Sequence, residues 1–141
     1  MKTVSVKLGV ILFIIGLTIF GTIEAWGADW KLFDVSTAGT WYYDAEGLTR
    51  LSQDIVRVRT IREFTDKGVR EMVKKFGKQY KNIDHSKGFE EISCSKKKLR
   101  ILSYVHYSKQ GKVILSTPSE GEWNYILPDS QWERLYQLVC K

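Results

Sequence analysis

The sequence predicts an α+β protein: an antiparallel sheet of about six strands with a carboxyl-terminal helix packed on it and tied by a disulfide. Most of the chain consists of short β-branched and aromatic runs separated by turn residues. The chain ends in an amphipathic helical pattern with a clear start. Of the two cysteines, Cys94 lies in a predicted β-hairpin and Cys140 is the penultimate residue.

Residues 1–27 have the pattern of a secretory signal peptide. Lys2 and Lys7 accompany the uncharged apolar run Leu8–Phe20, which is shorter than the about 20 residues that a membrane span needs. Ala25-Trp26-Gly27 offers a small-x-small cleavage site before Ala28, and a cut after Ala25 is the second choice. An uncleaved signal anchor is the alternative.

Cleavage there leaves residues 28–141, which we expect to form a single domain and to contain no transmembrane segment. This part has 20 basic and 15 acidic residues, a net charge of +5, which is compatible with anionic partners. We expect a periplasmic, secreted or cell-surface protein. No cysteine lies near the cleavage site, so we do not expect a lipoprotein.

The sequence predicts three strands in the first part of this domain. Trp30–Val35 and Trp41–Asp44 are predicted to form a hairpin. Ala45–Asp54 is predicted as a loop because it shows no sustained period. Within Ile55–Phe64, apolar or small side chains alternate with charged ones, which predicts a third strand with one buried and one solvent-exposed face.

The period changes to that of a helix between Asp66 and Asn82, which permits an extra helix between strands three and four. Its apolar side consists of Val69, Met72, Val73, Phe76 and Tyr80. Its outer side carries a group that we call the basic set: Arg70, Lys74, Lys78 and Lys81. A solvated helix face is the simplest interpretation of these charges, and contact with a polyanion or membrane is the alternative. Gly77 weakens the pattern, so part of it can be loop.

A second hairpin is predicted over Phe89–Tyr107, with a polar turn at Ser95–Lys98. Val113–Ser116 then predicts a short strand and Thr117–Gly121 a loop. Trp123–Leu127 is a candidate sixth strand.

The last helix has the clearest start in the chain. Ser130 and Glu133 have the spacing of a capping box. The apolar face consists of Trp132, Leu135, Tyr136 and Val139. Two cysteines in an exported chain favour a disulfide between Cys94 and Cys140.

Catalytic residues, metal ligands and cofactors are not predicted. His85 and His106 stand alone without paired spacing. The carboxylate pairs Asp44 with Glu46 and Glu90 with Glu91 are interpreted as solvated charges at turns or strand edges. An enzyme is therefore the least favoured class.

The ordered residues also resemble a known family. The matching positions are a Trp-containing first strand, Trp41–Asp44, Val56–Val58, Glu91–Cys94, Tyr107-Ser108 followed by Gly111, Glu122-Trp123, Pro128–Ser130 and Val139-Cys140. This set, spread from about Trp30 to Cys140, resembles the bacterial surface-adhesin protein E-like family.

The resemblance implies an antiparallel sheet, a helix held by the cysteine pair, and export to the periplasm or cell surface. The founding member of the family is an adhesin that binds host proteins. This chain departs from it in lacking a lipid-anchoring cysteine and in carrying the basic segment Lys67–Lys81.

The leading functional class is a non-enzymatic binding or adhesion protein of the bacterial envelope, with a protein or an anionic envelope or glycan ligand. Candidate ligand-binding residues are the basic set and the aromatic residues Trp41, Tyr42 and Tyr43. Nucleic acid is not an expected partner, because export removes the protein from it. The alternative is a structural or assembly protein that self-associates, for example as a homodimer.

Overall fold

The computed structural model describes residues 28–117 and 121–141. The predicted signal peptide, residues 1–27, lies outside the described residues, as do residues 118–120 within the predicted loop.

An antiparallel sheet of eight strands forms the body of the protein. The strands are β1 (Trp30–Ser36), β2 (Gly39–Asp44), β3 (Thr49–Arg50), β4 (Ile55–Phe64), β5 (Ile83–Ser93), β6 (Lys98–Ser108), β7 (Val113–Thr117) and β8 (Asn124–Tyr125). Six of them lie side by side in the order β1-β2-β4-β5-β6-β7, while β3 pairs with β4 and β8 with β6. The predicted α+β class is confirmed. The strand that the sequence did not predict, β3, is a two-residue pairing too short to show a period.

The first three predicted strands are confirmed. β4 has the predicted bounds and the predicted alternation, since Val56, Val58 and Thr60 are buried and Arg59 is exposed. The predicted loop after β2 contains the short strand β3.

The second hairpin is longer than predicted, because β5 begins at Ile83 and β6 ends at Ser108. The predicted sixth strand, Trp123–Leu127, is reduced to β8.

Two helices lie on one face of this sheet. Helix α1 (Asp66–Phe76) follows β4, and its Met72 packs beside Phe64. Helix α2 (Gln131–Val139) packs its buried side against Val56 and Val58. The β4 residues that pack with the helices, Val56, Val58 and Phe64, all have even numbers. Because every second residue of a strand points to the same face, both helices cover the same face.

Helix α1 ends earlier than the pattern over Asp66–Asn82 suggested. Gly77 has a φ of 115°, a conformation that side chains with a Cβ rarely adopt, and a short 3₁₀ turn follows at Lys78–Tyr80. Tyr80 is buried as expected, but Phe76 is 49% exposed.

Helix α2 begins at the predicted N-cap, Ser130, although the Glu133 side chain bonds back to Asp129 rather than to Ser130. The Glu133 backbone N–H donates to Ser130 Oγ at 3.2 Å, and Glu133 Oε2 accepts from the Asp129 N–H at 2.8 Å. The disulfide joins Cys94 to Cys140 with Cα atoms 5.5 Å apart. The predicted anchoring of the last helix to the β5–β6 turn is confirmed.

The opposite face of the sheet contains paired charges. Asp44 is fully buried and pairs with Arg59. Glu91 accepts from Arg57 at 3.1 Å and from Arg100 at 2.6 Å. The interpretation of Asp44 and Glu91 as solvated charges is therefore wrong, because arginines on neighbouring strands neutralise them inside the protein.

Candidate functional site

A cleft of about 450 Å³ opens between the two helices on the covered face of the sheet. Strands β2, β4, β5 and β6 form its floor through Trp41, Arg62, Glu90 and Tyr104. The walls include Met72 and Phe76 from α1 and Trp132 from α2. The volume lies within the about 300–1,000 Å³ typical of small-molecule sites.

Glu90 is a buried carboxyl group at the floor of this cleft. The residue is only 3% exposed. Thr60 Oγ1 donates a hydrogen bond to Glu90 Oε1 at 2.9 Å, whereas Oε2 is buried without a partner among the described residues. Burial raises the pKa of Glu90 to about 8, although the Thr60 hydrogen bond opposes the rise. At neutral pH the carboxyl is mostly protonated, so the interpretation of Glu90 as a solvated charge is also wrong.

Gly88 makes room for this carboxyl group. A Cβ at position 88 would lie 2.1 Å from Glu90 Oε1 and 2.6 Å from Thr60 Oγ1. With a Cβ there, the Glu90 carboxyl and the Thr60 hydroxyl would both have to move.

A β-bulge shapes the neighbouring strand. Phe89 pairs with Ser103 and Glu90 with Ile101, so β6 has one extra residue at this point. Because of the extra residue, Ile101 and Tyr104 both line the cleft although they are three positions apart.

Arg62 is the main cationic group of the cleft floor. Its guanidinium carbon lies 5.1 Å from the Trp41 ring centre and 4.3 Å from that of Phe64. Its Nε is buried and has no hydrogen-bond partner among the described residues. Burial lowers the pKa of Arg62, and the charge of Glu71 opposes this effect. An arginine remains charged under such conditions.

Ser86 and His106 form a hydrogen bond within the cleft, between Oγ and Nδ1. A hydroxyl beside an imidazole can serve as a nucleophile and base. Here, however, burial and then the charge of Arg62 lower the pKa of His106, and no carboxylate hydrogen bond to its ring is present among the described residues. The pair therefore lacks the orienting third group of a hydrolytic triad.

The three predicted aromatic site residues do not share one surface. Trp41 lines the cleft and meets Trp132 with ring centres 5.4 Å apart. Tyr43 is buried beside Phe33 in the core. Tyr42 lies between them in β2, and alternation places it on the opposite face.

The basic set lies outside the cleft. Its four residues are exposed, with Arg70 and Lys74 on α1 and Lys78 and Lys81 beyond the break at Gly77. They do not form one continuous helical stripe, because the helix ends before the last two. Their side chains make no ion pair with the part of the chain that the structure describes.

The sequence interpretation missed most of the cleft. Glu90, Arg62, Ser86 and His106 converge only through strand pairing. One signal in the sequence could have indicated that Glu90 is buried. Glu90 is two residues before the buried Ile92 on the same strand, so both side chains point to the same face.

Within residues 28–117 and 121–141, no cluster of three or more His, Cys, Asp or Glu side chains could hold a metal ion. None of the helices in these ranges has the length and apolar character required to cross a membrane.

The fold and cleft define an α+β protein with a recessed, partly polar site on one face of an antiparallel sheet. Residues 30–141 match the family described as surface-adhesin protein E. The chain belongs to that family, which confirms the resemblance noted from the sequence. No curated protein gives a significant match.

Solved structures of Haemophilus influenzae protein E are similar to this chain. Its crystal form II matches with a TM-score of 0.51 and 19% identity, covering 77% of this chain and 91% of that chain. A selenomethionine form has a TM-score of 0.48 and 14% identity, covering 81% and 92%. At these identities the likeness shows the fold alone.

Proposed function

We propose that this protein is an exported, non-enzymatic binding protein of the adhesion type in the bacterial envelope, and that it contacts an anionic polymer through the basic set. Residues 1–27 would act as a cleaved signal peptide and residues 28–141 as the exported domain. Membership of a surface-adhesin family and the pattern of the amino terminus support this proposal.

The observation that carries the proposal is that no side chain of the basic set forms an ion pair with a residue that the structure describes. Elsewhere in the described chain, Arg57, Arg59 and Arg134 each pair with a carboxylate. The basic set has no such pair, and like charges at i, i+4 such as Arg70 and Lys74 repel each other by a few tenths of a kcal/mol. A sulfated glycan or lipopolysaccharide would offset this repulsion.

Binding to immobilised heparin over a salt gradient tests the proposal. We expect the double variant Arg70→Glu/Lys74→Glu to elute at clearly lower salt than the wild type. The matched control Lys109→Glu/Lys112→Glu makes the same change in net charge on the exposed β6–β7 turn. Equal shifts for the two variants, or no retention of the wild type at low salt, would contradict a specific anionic site.

Self-association is a second candidate function, favoured by the edge strands. β1 and β7 form the two ends of the sheet path and expose Leu32, Val35, Val113 and Leu115. Exposed apolar edges can pair with another copy. Sedimentation velocity over a concentration series should then show dimers that Leu32→Lys weakens, whereas a monomer at every concentration removes this candidate.

A further inference from the structure

We propose that the cleft binds a small apolar molecule carrying one carboxylate, with the carboxylate on the Arg62 guanidinium and the apolar body among the aromatic side chains. This site is separate from the basic set and does not depend on binding of a polyanion there.

Arg62 is the first reason. The half-buried arginines on the other face, Arg57 and Arg100, both donate to Glu91. Arg62 donates no hydrogen bond to any described residue. The rings of Trp41 and Phe64 stabilise its charge, but they provide no oxygen acceptor for its N–H groups. A carboxylate can accept from two guanidinium N–H groups at once, and its single charge suits a cleft whose other lining is mainly apolar.

The charge balance of the cleft favours an anion over a cation. The charged and titratable side chains that line it are Arg62, Glu71, Lys75, Lys87, Glu90 and His106, with the phenol of Tyr104. Burial raises the pKa of the Glu90 carboxyl and lowers that of the His106 imidazole, so both are largely neutral at pH 7. Three cations then face one carboxylate, that of Glu71.

The side chains that line the cleft are the reason for proposing a ligand that is mainly apolar. Met72, Ile101, Tyr104 and Trp132 present mainly carbon surface to the cleft, and Phe76 beside them is 49% exposed. A bound hydrocarbon would cover these surfaces and remove them from water, which favours binding. The unpartnered Oε2 of Glu90, with its proton, offers a second polar contact.

Isothermal titration calorimetry with three ligands of equal chain length tests the assignment. We expect decanoate to bind more tightly than decanol, and decylamine to bind least. If decanol matches decanoate, the cleft is only an apolar cavity. If decylamine binds best, or if none of the three gives heat at either of two temperatures about 15 °C apart, the proposal is overturned, because apolar burial changes the heat capacity and cannot have zero enthalpy at both.

Variants locate the carboxylate. Arg62→Gln should weaken decanoate binding about tenfold, the change expected for loss of one charged hydrogen-bonding partner, and leave decanol unchanged. Lys109→Gln, which removes one charge from the exposed β6–β7 turn, should bind decanoate like the wild type. Arg62→Lys keeps the charge and serves if the glutamine variant fails to fold; it should lose part of the affinity. Unchanged decanoate affinity in a folded Arg62 variant refutes the site.

A pH profile gives an independent readout. Decanoate affinity of the wild type should fall as the pH rises above about 8, where Glu90 becomes an anion. In Glu90→Gln the fall should be absent, because no carboxylate forms at that position. Identical profiles for the two proteins would place the ligand away from Glu90 and overturn the proposal, whatever the outcome of the heparin experiment.

Discussion

Replacing Glu90 with glutamine should make the protein more stable at alkaline pH and leave it nearly unchanged at acidic pH. Glutamine keeps the shape of the side chain and can still accept the Thr60 hydrogen bond, but it does not ionise. In the wild type the folded state holds the Glu90 proton up to about pH 8, whereas the unfolded state releases it above its ordinary pKa of 4.5. Between these values the folded state binds one more proton, so its stability falls as the pH rises.

The magnitude follows from the width of that interval. The pKa rises from 4.5 to about 8, and each unit is worth 1.36 kcal/mol, so the full effect is about 5 kcal/mol. The free energy of unfolding of Glu90→Gln minus that of the wild type should therefore grow by about 1.4 kcal/mol per pH unit across this range.

Urea denaturation of both proteins at several pH values from about 5 to about 8 measures this difference. The exposed Glu46→Gln is the matched control and should follow the wild type at every pH. If the curves of Glu90→Gln and the wild type run parallel, Glu90 is not held protonated in the folded protein and the reasoning about the cleft floor fails.

Three further changes test the scaffold. Cys140→Ser removes a disulfide between residues 46 positions apart and should lower the free energy of unfolding by about 4 kcal/mol. Reductant should lower the stability of the wild type by a similar amount and leave that of the variant unchanged. Gly88→Ala places a Cβ against Glu90 Oε1 and should cost about 1–3 kcal/mol in urea denaturation, with a smaller cost in a Glu90→Ala background. Ser130→Ala removes the acceptor of the Glu133 N–H and should cost about 1 kcal/mol; no change in thermal midpoint would show that the cap is dispensable.

Local patterns account for the parts of the fold that the sequence predicted well. The alternation in Ile55–Phe64 and the N-cap at Ser130 each depend on residues within one turn or strand, and both are confirmed. The pairing of Cys94 with Cys140 followed from the even count of cysteines and the expected compartment.

The cleft depended on information that no single segment carries. The Arg62 guanidinium lies between rings from β2 and β4, and the bulge in β6 appears only when the register is known. The glutamates were misjudged because adjacent carboxylates usually lie in water. On a strand, Glu90 and Glu91 point to opposite faces, and each is buried there for a different reason: protonation for Glu90 and pairing with arginines for Glu91.

Completion of the core depends on helix α2, which lies far along the chain from the strands it covers. Phe33, Trp41 and Tyr43 belong to the β1–β2 hairpin, yet they pack in one cluster with Leu135 and Val139 of helix α2. Arg50 likewise donates to the Val139 carbonyl, 89 residues later in the chain, at 3.1 Å. Contacts of such long range slow folding and leave apolar side chains exposed in partly folded chains. Until helix α2 docks, a refolding chain therefore keeps the aromatic side of the β1–β2 hairpin open to aggregation.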